Sequence, residues 1–194
     1  MAATRPKAEA GTATRILDVA ERLVQTRGFN GFSYADIAAE LGITKAGLHY
    51  HFAGKAELGE ALIVRYAERF AEALAAIDAS GLDARAKLDA YVDLYAQVLS
   101  GQRMCLCGIL AAEYQTLPQP MCDAVIRFFD DNEAWLTAVL EHGQVEGTLS
   151  LAEPAAESAH MILSGLEGAM LVARPYSDLA RFTSAADRLL ASLA

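Results

Sequence analysis

Gly42-Ile43-Thr44-Lys45-Ala46-Gly47-Leu48-His49-Tyr50-His51-Phe52, followed at position 55 by a lysine, is the stretch that decides how this chain folds. A glycine able to take a left-handed conformation ends one helix. A threonine whose hydroxyl can accept a backbone N–H opens the next. That helix runs to about Phe52, and it holds a glycine and two of the chain's four histidines. Such residues make a poor helix for stability alone. Upstream, Ser33 with Asp36 three positions on resembles a capping box. It opens a helix that buries Ile37, Ala38 and Leu41 and ends at Gly42. Two short helices joined by Gly42-Ile43 form a helix-turn-helix pattern. From Thr12 to Arg27 the stripe Ile16, Ala20, Leu23 and Val24 predicts another helix, stopped by Gly28. Leu48 and Phe52 are the expected core of this three-helix unit.

In a helix-turn-helix the second helix enters the major groove and the first crosses the backbone. Short or polar residues near its start let the backbone approach, and Lys45, Ala46 and Gly47 meet that need. The helix N-terminus, with Thr44, favours a phosphate. Lys45 can reach guanine O6 or N7. His49, Tyr50 and His51 can offer hydrogen-bonding rings to bases and phosphates. Lys55 is expected to hold a phosphate, and Ser33 and Tyr34 are candidates for the flanking ones. Any one of these residues is a weak signal, and their combination at this spacing is a strong one.

The charge agrees once it is divided. The 194 residues carry a net charge of −9, which at first argues against nucleic acid. Residues 1–60 hold seven Lys/Arg and seven Asp/Glu, so the remainder carries all of the excess. A neutral head on an acidic body implies a small, local DNA contact. Hydrophobic residues make up 54%, enough for a packed core. The polar start lacks the apolar segment of a signal peptide, and no apolar run approaches a membrane span. Three cysteines argue against a disulfide framework. The cytoplasm is the expected compartment, with no membrane partner.

The rest of the chain predicts helix throughout. Leu58, Leu62, Tyr66, Phe70 and Leu74 step by four along a long helix from Lys55 to about Ala79. Further helices are expected from Asp83 to Ser100, Arg103 to Gln115, about Pro118 to Glu146, Pro154 to Arg174, and Ser177 to Leu193. The expectation is an all-α protein of about nine helices. It divides into a flexible tail (1–11), a helix-turn-helix domain (12–54) and a larger helical domain (55–194).

The signature from Gly42 to Phe52 resembles that of the TetR family of repressors. So do Ile16-Leu17-Asp18-Val19-Ala20-Glu21-Arg22-Leu23, Gly28-Phe29 and Asp36-Ile37-Ala38-Ala39-Glu40-Leu41, in order and spacing. His49 departs from the pattern, standing where the family most often has Tyr. The resemblance implies a homodimer that binds a palindromic double-stranded operator and is released by a small-molecule inducer. It also implies a ligand cavity among the middle helices and a four-helix bundle between subunits. The candidate lining residues are Tyr91, Tyr95, Met104, Cys105, Ile109, Glu113, Tyr114, Phe128 and Trp135, with Glu113 and Tyr114 among the polar anchors. An ordinary helical core would account for most of them equally well. The interface is expected on the helix after Pro154, which is apolar almost all round: Ala155, Ala159, Ile162, Leu163, Leu166, Ala169 and Met170.

Catalytic signatures, phosphate-binding loops and metal-ligand spacings are absent from the sequence, so no enzyme, cofactor or metal is expected. Cys105 and Cys107, two apart on a helix, would point about 200° apart and could not share a metal. An exposed, activated Cys105, its pKa lowered by Arg103, could sense an electrophile. A buried thiol is the plainer reading. Two other classes compete: a small thiol-dependent enzyme, which leaves the N-terminal motif unexplained, and a ligand-free helix-turn-helix protein acting through protein partners.

Overall fold

A computed structural model describes residues 5–193. Among the described residues there are nine α-helices and no strand. The first three form the head: α1 (Arg5–Arg27), α2 (Tyr34–Leu41) and α3 (Lys45–His51). The body follows as α4 (Lys55–Ala79), α5 (Ala84–Ser100), α6 (Leu106–Ala112), α7 (Gln119–Glu146), α8 (Ala155–Ala173) and α9 (Leu179–Ala191). Two differences from expectation concern boundaries. Helix α1 begins at Arg5, so positions 5–11 of the expected tail are helical, and residues 1–4 lie outside the described residues. Helix α6 is about half the expected length. The Met104 N–H is spent on the Gln25 carbonyl and the Cys105 N–H on the Met170 sulfur. The helix therefore starts only where Cys105 caps it, its sulfur accepting from the Gly108 N–H at 3.5 Å. A 3₁₀ turn over Tyr114–Thr116 follows it.

Local chemistry explains the ends. The Asp36 carboxylate accepts from both the N–H and the hydroxyl of Ser33 at 2.7 Å, which draws its pKa below the usual carboxylate range. Gly42 and Gly147 end α2 and α7 with φ of 65° and 72°, a backbone region that only glycine enters without strain. Asp83 and Asp178 cap α5 and α9 by accepting N–H bonds at 2.8 and 3.3 Å.

Helix α4 joins head to body. Leu58 is buried against the head's core, and Phe70 packs edge-on to Tyr91, Tyr95 and Phe128 with ring centroids 5.3–6.0 Å apart. At Gly59 the helix comes so near Phe29 and Met121 that a Cβ would lie 2.9 Å from Phe29 and closer still to the Met121 sulfur. The second junction is electrostatic. Glu113, at the end of α6, accepts the Phe29 N–H at 2.6 Å and the Asn30 N–H at 3.3 Å. These are the two N–H groups that follow Gly28, whose own N–H closes the helix on the Val24 carbonyl. Gly28, at φ +83°, brings the backbone close enough that a Cβ would sit 2.6 Å from Glu113 Oε1. Arg174, just past α8, donates to the Thr26 carbonyl. Replacing Glu113 with alanine leaves the partly buried Phe29 N–H unsatisfied and should cost about 1–3 kcal/mol. Urea unfolding checks this: an unchanged midpoint would remove the junction's structural role.

Candidate functional site

Two regions carry the expected chemistry, the outer face of the head and the middle of the body. In the head, Leu48 and Phe52 are buried and lock α3 onto α1 and α2. Thr44 caps α3 by accepting the Gly47 N–H at 3.0 Å. Lys45, Ala46, His49 and Tyr50 face solvent, with Tyr50 72% exposed; Gly47 and His51 are half-buried. The Tyr50 and His51 rings meet edge to face at 5.3 Å. The His49 Nδ1 lies 3.1 Å from the Ala53 carbonyl and its ring leans on Tyr34 at 4.8 Å. Short residues at the start of α3 and rings along its outer side thus form one open face, the shape a major-groove reader requires.

Three residues expected to hold phosphates are engaged elsewhere. Lys55 donates to the Phe29 and Phe32 carbonyls, and its ammonium lies 4.7 and 4.2 Å from the two ring centroids. Burial lowers its pKa. A phosphate would have to displace two backbone acceptors and two aromatic faces. The Tyr34 hydroxyl donates to the Phe52 carbonyl at 3.1 Å, and burial, with Glu57 nearby, pushes its pKa up to about 12. The Ser33 hydroxyl serves Asp36. Tyr34 thereby ties the end of α3 to α2, Lys55 ties α4 to the α1–α2 connection, and Ser33 caps α2; Lys45 remains the free cation on the front of α3 among the described residues.

The body's aromatics close on one another. Tyr91, Tyr95 and Phe128 are fully buried, with Trp135 stacked on Tyr91 at 5.4 Å. The Tyr91 hydroxyl bonds Asn132 Oδ1 at 3.0 Å and lies 3.1 Å from that of Tyr95. The Asn132 amide donates to the Phe128 carbonyl. Trp135 Nε1 donates outward to Asp78 at 2.9 Å. Tyr91, Tyr95 and Phe128 thus form filled core and Trp135 its half-buried edge, with their polar atoms satisfied. Glu113 is the head-to-body tie, and Tyr114 is exposed beside it. Met104 and Ile109 of the expected set line an apolar cleft of about 220 Å³ between α6, α7 and α8, and Trp135 borders a separate surface hollow with Asp78, Lys87 and His142.

Cys105 and Cys107 are both buried. Burial, then the nearby Glu167 carboxylate, pushes both thiols well up, the opposite of activation. Arg103 points away, against Gly101, so the expected cation beside the thiol is missing. Sequence reasoning passed over Glu167. It is the one acid in the apolar second half of α8, Gly165 to Ala173, which was the signal available. Burial raises its pKa from 4.5 to about 7.

The expected interface residues also face inward. Ala155, Ala159, Ile162, Leu163, Leu166 and Met170 are buried within the protomer against α5, α7 and α9, and Ala169 is half-buried. The opposite side of α8 exposes Met161, Ser164, Gly168, Leu171 and Val172.

A three-helix head with an open recognition helix, tied to a separate helical body, defines a helix-turn-helix DNA-binding regulator. Residues 16–62 match the bacterial regulatory proteins of the tetR family, and residues 81–189 match the tetracyclin repressor-like C-terminal domain. The chain belongs to the TetR family and is a transcriptional regulator, not an enzyme. A TetR-family regulator from Agrobacterium tumefaciens superposes with a TM-score of 0.92 at 32% identity, over 95% of this chain and 98% of that one. A TetR regulator from Legionella pneumophila gives 0.83 at 32% identity over the full length of both. The HTH-type transcriptional repressor KstR2 of Rhodococcus jostii is 33% identical over 84 residues, 43% of this chain and 41% of that protein. No helix among the described residues is long and apolar enough to cross a membrane.

Two outcomes follow from this geometry. Lys45→Ala should weaken specific DNA binding by about 1–3 kcal/mol and leave the urea midpoint unchanged, whereas Lys55→Ala should lower the midpoint by a similar amount. Anisotropy titrations at fixed salt, run beside the melts, separate the two roles, and a reversed pattern would contradict them. The raised pKa of Glu167 gives the second. Its acid form is favoured in the folded state, so its contribution is whole below about pH 4.5 and is lost as pH rises through about 7. Wild type should therefore lose stability relative to Glu167→Gln between those pH values, and parallel melting curves across that range would refute it.

Proposed function

We propose that the chain is a repressor which binds a palindromic operator as a homodimer and is released when a small molecule occupies its helical body. The observation that carries this reading is the set of bonds by which the body grips the end of α1. Met104 donates to the Gln25 carbonyl at 3.2 Å, Arg174 to the Thr26 carbonyl, and Glu113 accepts the Phe29 N–H at 2.6 Å. Met104 and Arg174 also line the cleft between α6, α7 and α8. A molecule that moves α6 or the end of α8 therefore moves the head. Release requires the ligand to prefer the conformation whose recognition helices are wrongly spaced. A coupling of about 1–3 kcal/mol lowers operator affinity roughly 5–150-fold. Likeness to a named repressor over the matched residues supports repression as the sense of control.

The proposed base contacts come from Lys45, Ala46, Gly47, His49 and Tyr50, with Thr44 and His51 toward phosphates. The dimer forms through the exposed stripe of α8. Met161, Ser164, Gly168 and Leu171 recur at intervals of three and four, which places them along one face. Glycine and serine let two such helices approach closely, and Met161, Leu171 and Val172, 43–60% exposed, supply the apolar area. With one recognition helix per subunit, the half-site centres should lie roughly 34–36 Å apart.

Footprinting on DNA flanking the gene, with and without candidate small molecules, tests the whole reading. Protection of two symmetric half-sites, lifted by a ligand, is the expected result, and a single asymmetric half-site would count against it. Leu171→Glu should give a folded monomer by sedimentation, with operator affinity lowered at least tenfold because only one half-site is held. A dimer that survives this change at micromolar concentration would move the interface elsewhere.

A further inference from the structure

We propose that the cleft between α6, α7 and α8 is a binding site for a compact apolar amine, whose ammonium pairs with the carboxylate of Glu167. This rests on the ligand-responsive reading above and names the ligand's chemistry. Oxygen Oε1 of Glu167 is shut off from solvent and has no hydrogen-bond partner. The carboxyl borders the cleft, whose walls are otherwise mainly apolar: Met104, Ile109, Ala111, Phe129 and Leu171. Gly108 faces it, and a Cβ there would run into the carboxylate. The chain thus leaves room for an acid where a packed core would exclude one. A buried polar atom without a partner is costly, and an unpaired buried charge more so.

The Cys105 thiol hydrogen-bonds the carboxyl, yet Oε1 still lacks a donor, and the local cation does not supply one. Arg174 lines the cleft but gives its guanidinium to the Thr26 carbonyl. A protonated amine brings up to three N–H donors and the opposite charge. The Phe129 ring on the wall can take a cation against its face. The cleft's volume of about 220 Å³ is below the roughly 300 Å³ where drug-sized pockets begin. One ring on a short amine-bearing arm is the size that suits it.

The groups around Glu167 leave it as the one that titrates near neutrality. Cys105 and Cys107 face it from the start of α6, Tyr66 from α4, and Tyr91 and Tyr95 from α5, all with pKa values pushed upward. They stay uncharged near pH 7. Amine binding should therefore strengthen as pH rises through about 7 and the carboxyl ionises.

Calorimetry on the full chain with 2-phenylethylamine and 2-phenylethanol, from pH 6 to 8, tests the site. The amine should bind with affinity rising roughly tenfold over that range, and the alcohol at least tenfold more weakly. Glu167→Gln should lose the amine's advantage and its pH dependence. Ala111→Trp changes an exposed wall residue; it should block the amine yet keep the wild-type pH dependence of stability. Equal binding of alcohol and amine, undiminished amine binding by Glu167→Gln, or no binding by wild type would each overturn the proposal. Operator titrations keep the two readings apart. Amine binding that leaves operator affinity unchanged supports the site and defeats ligand control through it. Release of operator by another compound, unaltered in Glu167→Gln and without amine binding, supports ligand control and defeats the amine site.

Discussion

The carboxylate of Glu113 on the backbone N–H groups of Phe29 and Asn30 is the contact on which the arrangement of head and body turns. A helix end leaves its flanking polar groups without intrahelical partners, and here the body provides them across 84 residues of chain. Gly28 makes the approach possible by leaving out a side chain at a positive φ. Around this contact the Gln25 and Thr26 carbonyls are taken up by Met104 and Arg174, so the final turn of α1 is bonded to the body on several sides. Those bonds are directional, and a shift in α6 breaks or strains them together. An apolar contact between the same elements would slide and transmit less.

The head works under a related economy. Its polar side chains divide between those that hold the head's helices and connections in place and those that remain free in front of α3. Lys55, Tyr34 and the capping pair Ser33–Asp36 belong to the first group, each bonded to backbone or to its own helix start. Lys45 and Tyr50 belong to the second. Fixing the frame around α3 matters because base readout tolerates little error in helix position. The acidic body adds a selective pressure of another kind: it disfavours any pose in which α4–α9 lie on the duplex, and leaves α3 as the face presented to it.

Within the body, packing and polarity are segregated. Phe70, Tyr91, Tyr95 and Phe128 fill the space between α4, α5 and α7, and Asn132 satisfies the Tyr91 hydroxyl. Interiors packed in this way change between discrete arrangements and resist gradual deformation. Glu167, near the Tyr91 and Tyr95 end of that cluster, is a polar group whose bonding is incomplete. On the proposed ligand-responsive reading, a well-packed region beside an unsatisfied one is where a small molecule would act on the arrangement of the helices.

Nearly all of the helix boundaries were legible in the sequence, because the signals that set them are local. Ser33 and Asp36, Thr44, Asp83, Gly42 and Gly147 act on backbone groups within four residues of themselves. The recognition helix was legible for the same reason, since its exposed residues need no partner to be identified. Partners far along the chain were not. Nothing near Lys55 announces the Phe29 and Phe32 carbonyls 26 and 23 positions away, and Glu113 looked like a ligand anchor until the fold brought Phe29 beside it. Helix α8 made the limit plain. Being apolar on nearly every side, it carried no sequence signal for which face would meet α5, α7 and α9 and which would remain open. Only packing could assign Ile162 and Leu166 to the core and Leu171 and Val172 to the surface, because an amphipathic period is the one local mark of orientation and this helix lacks it.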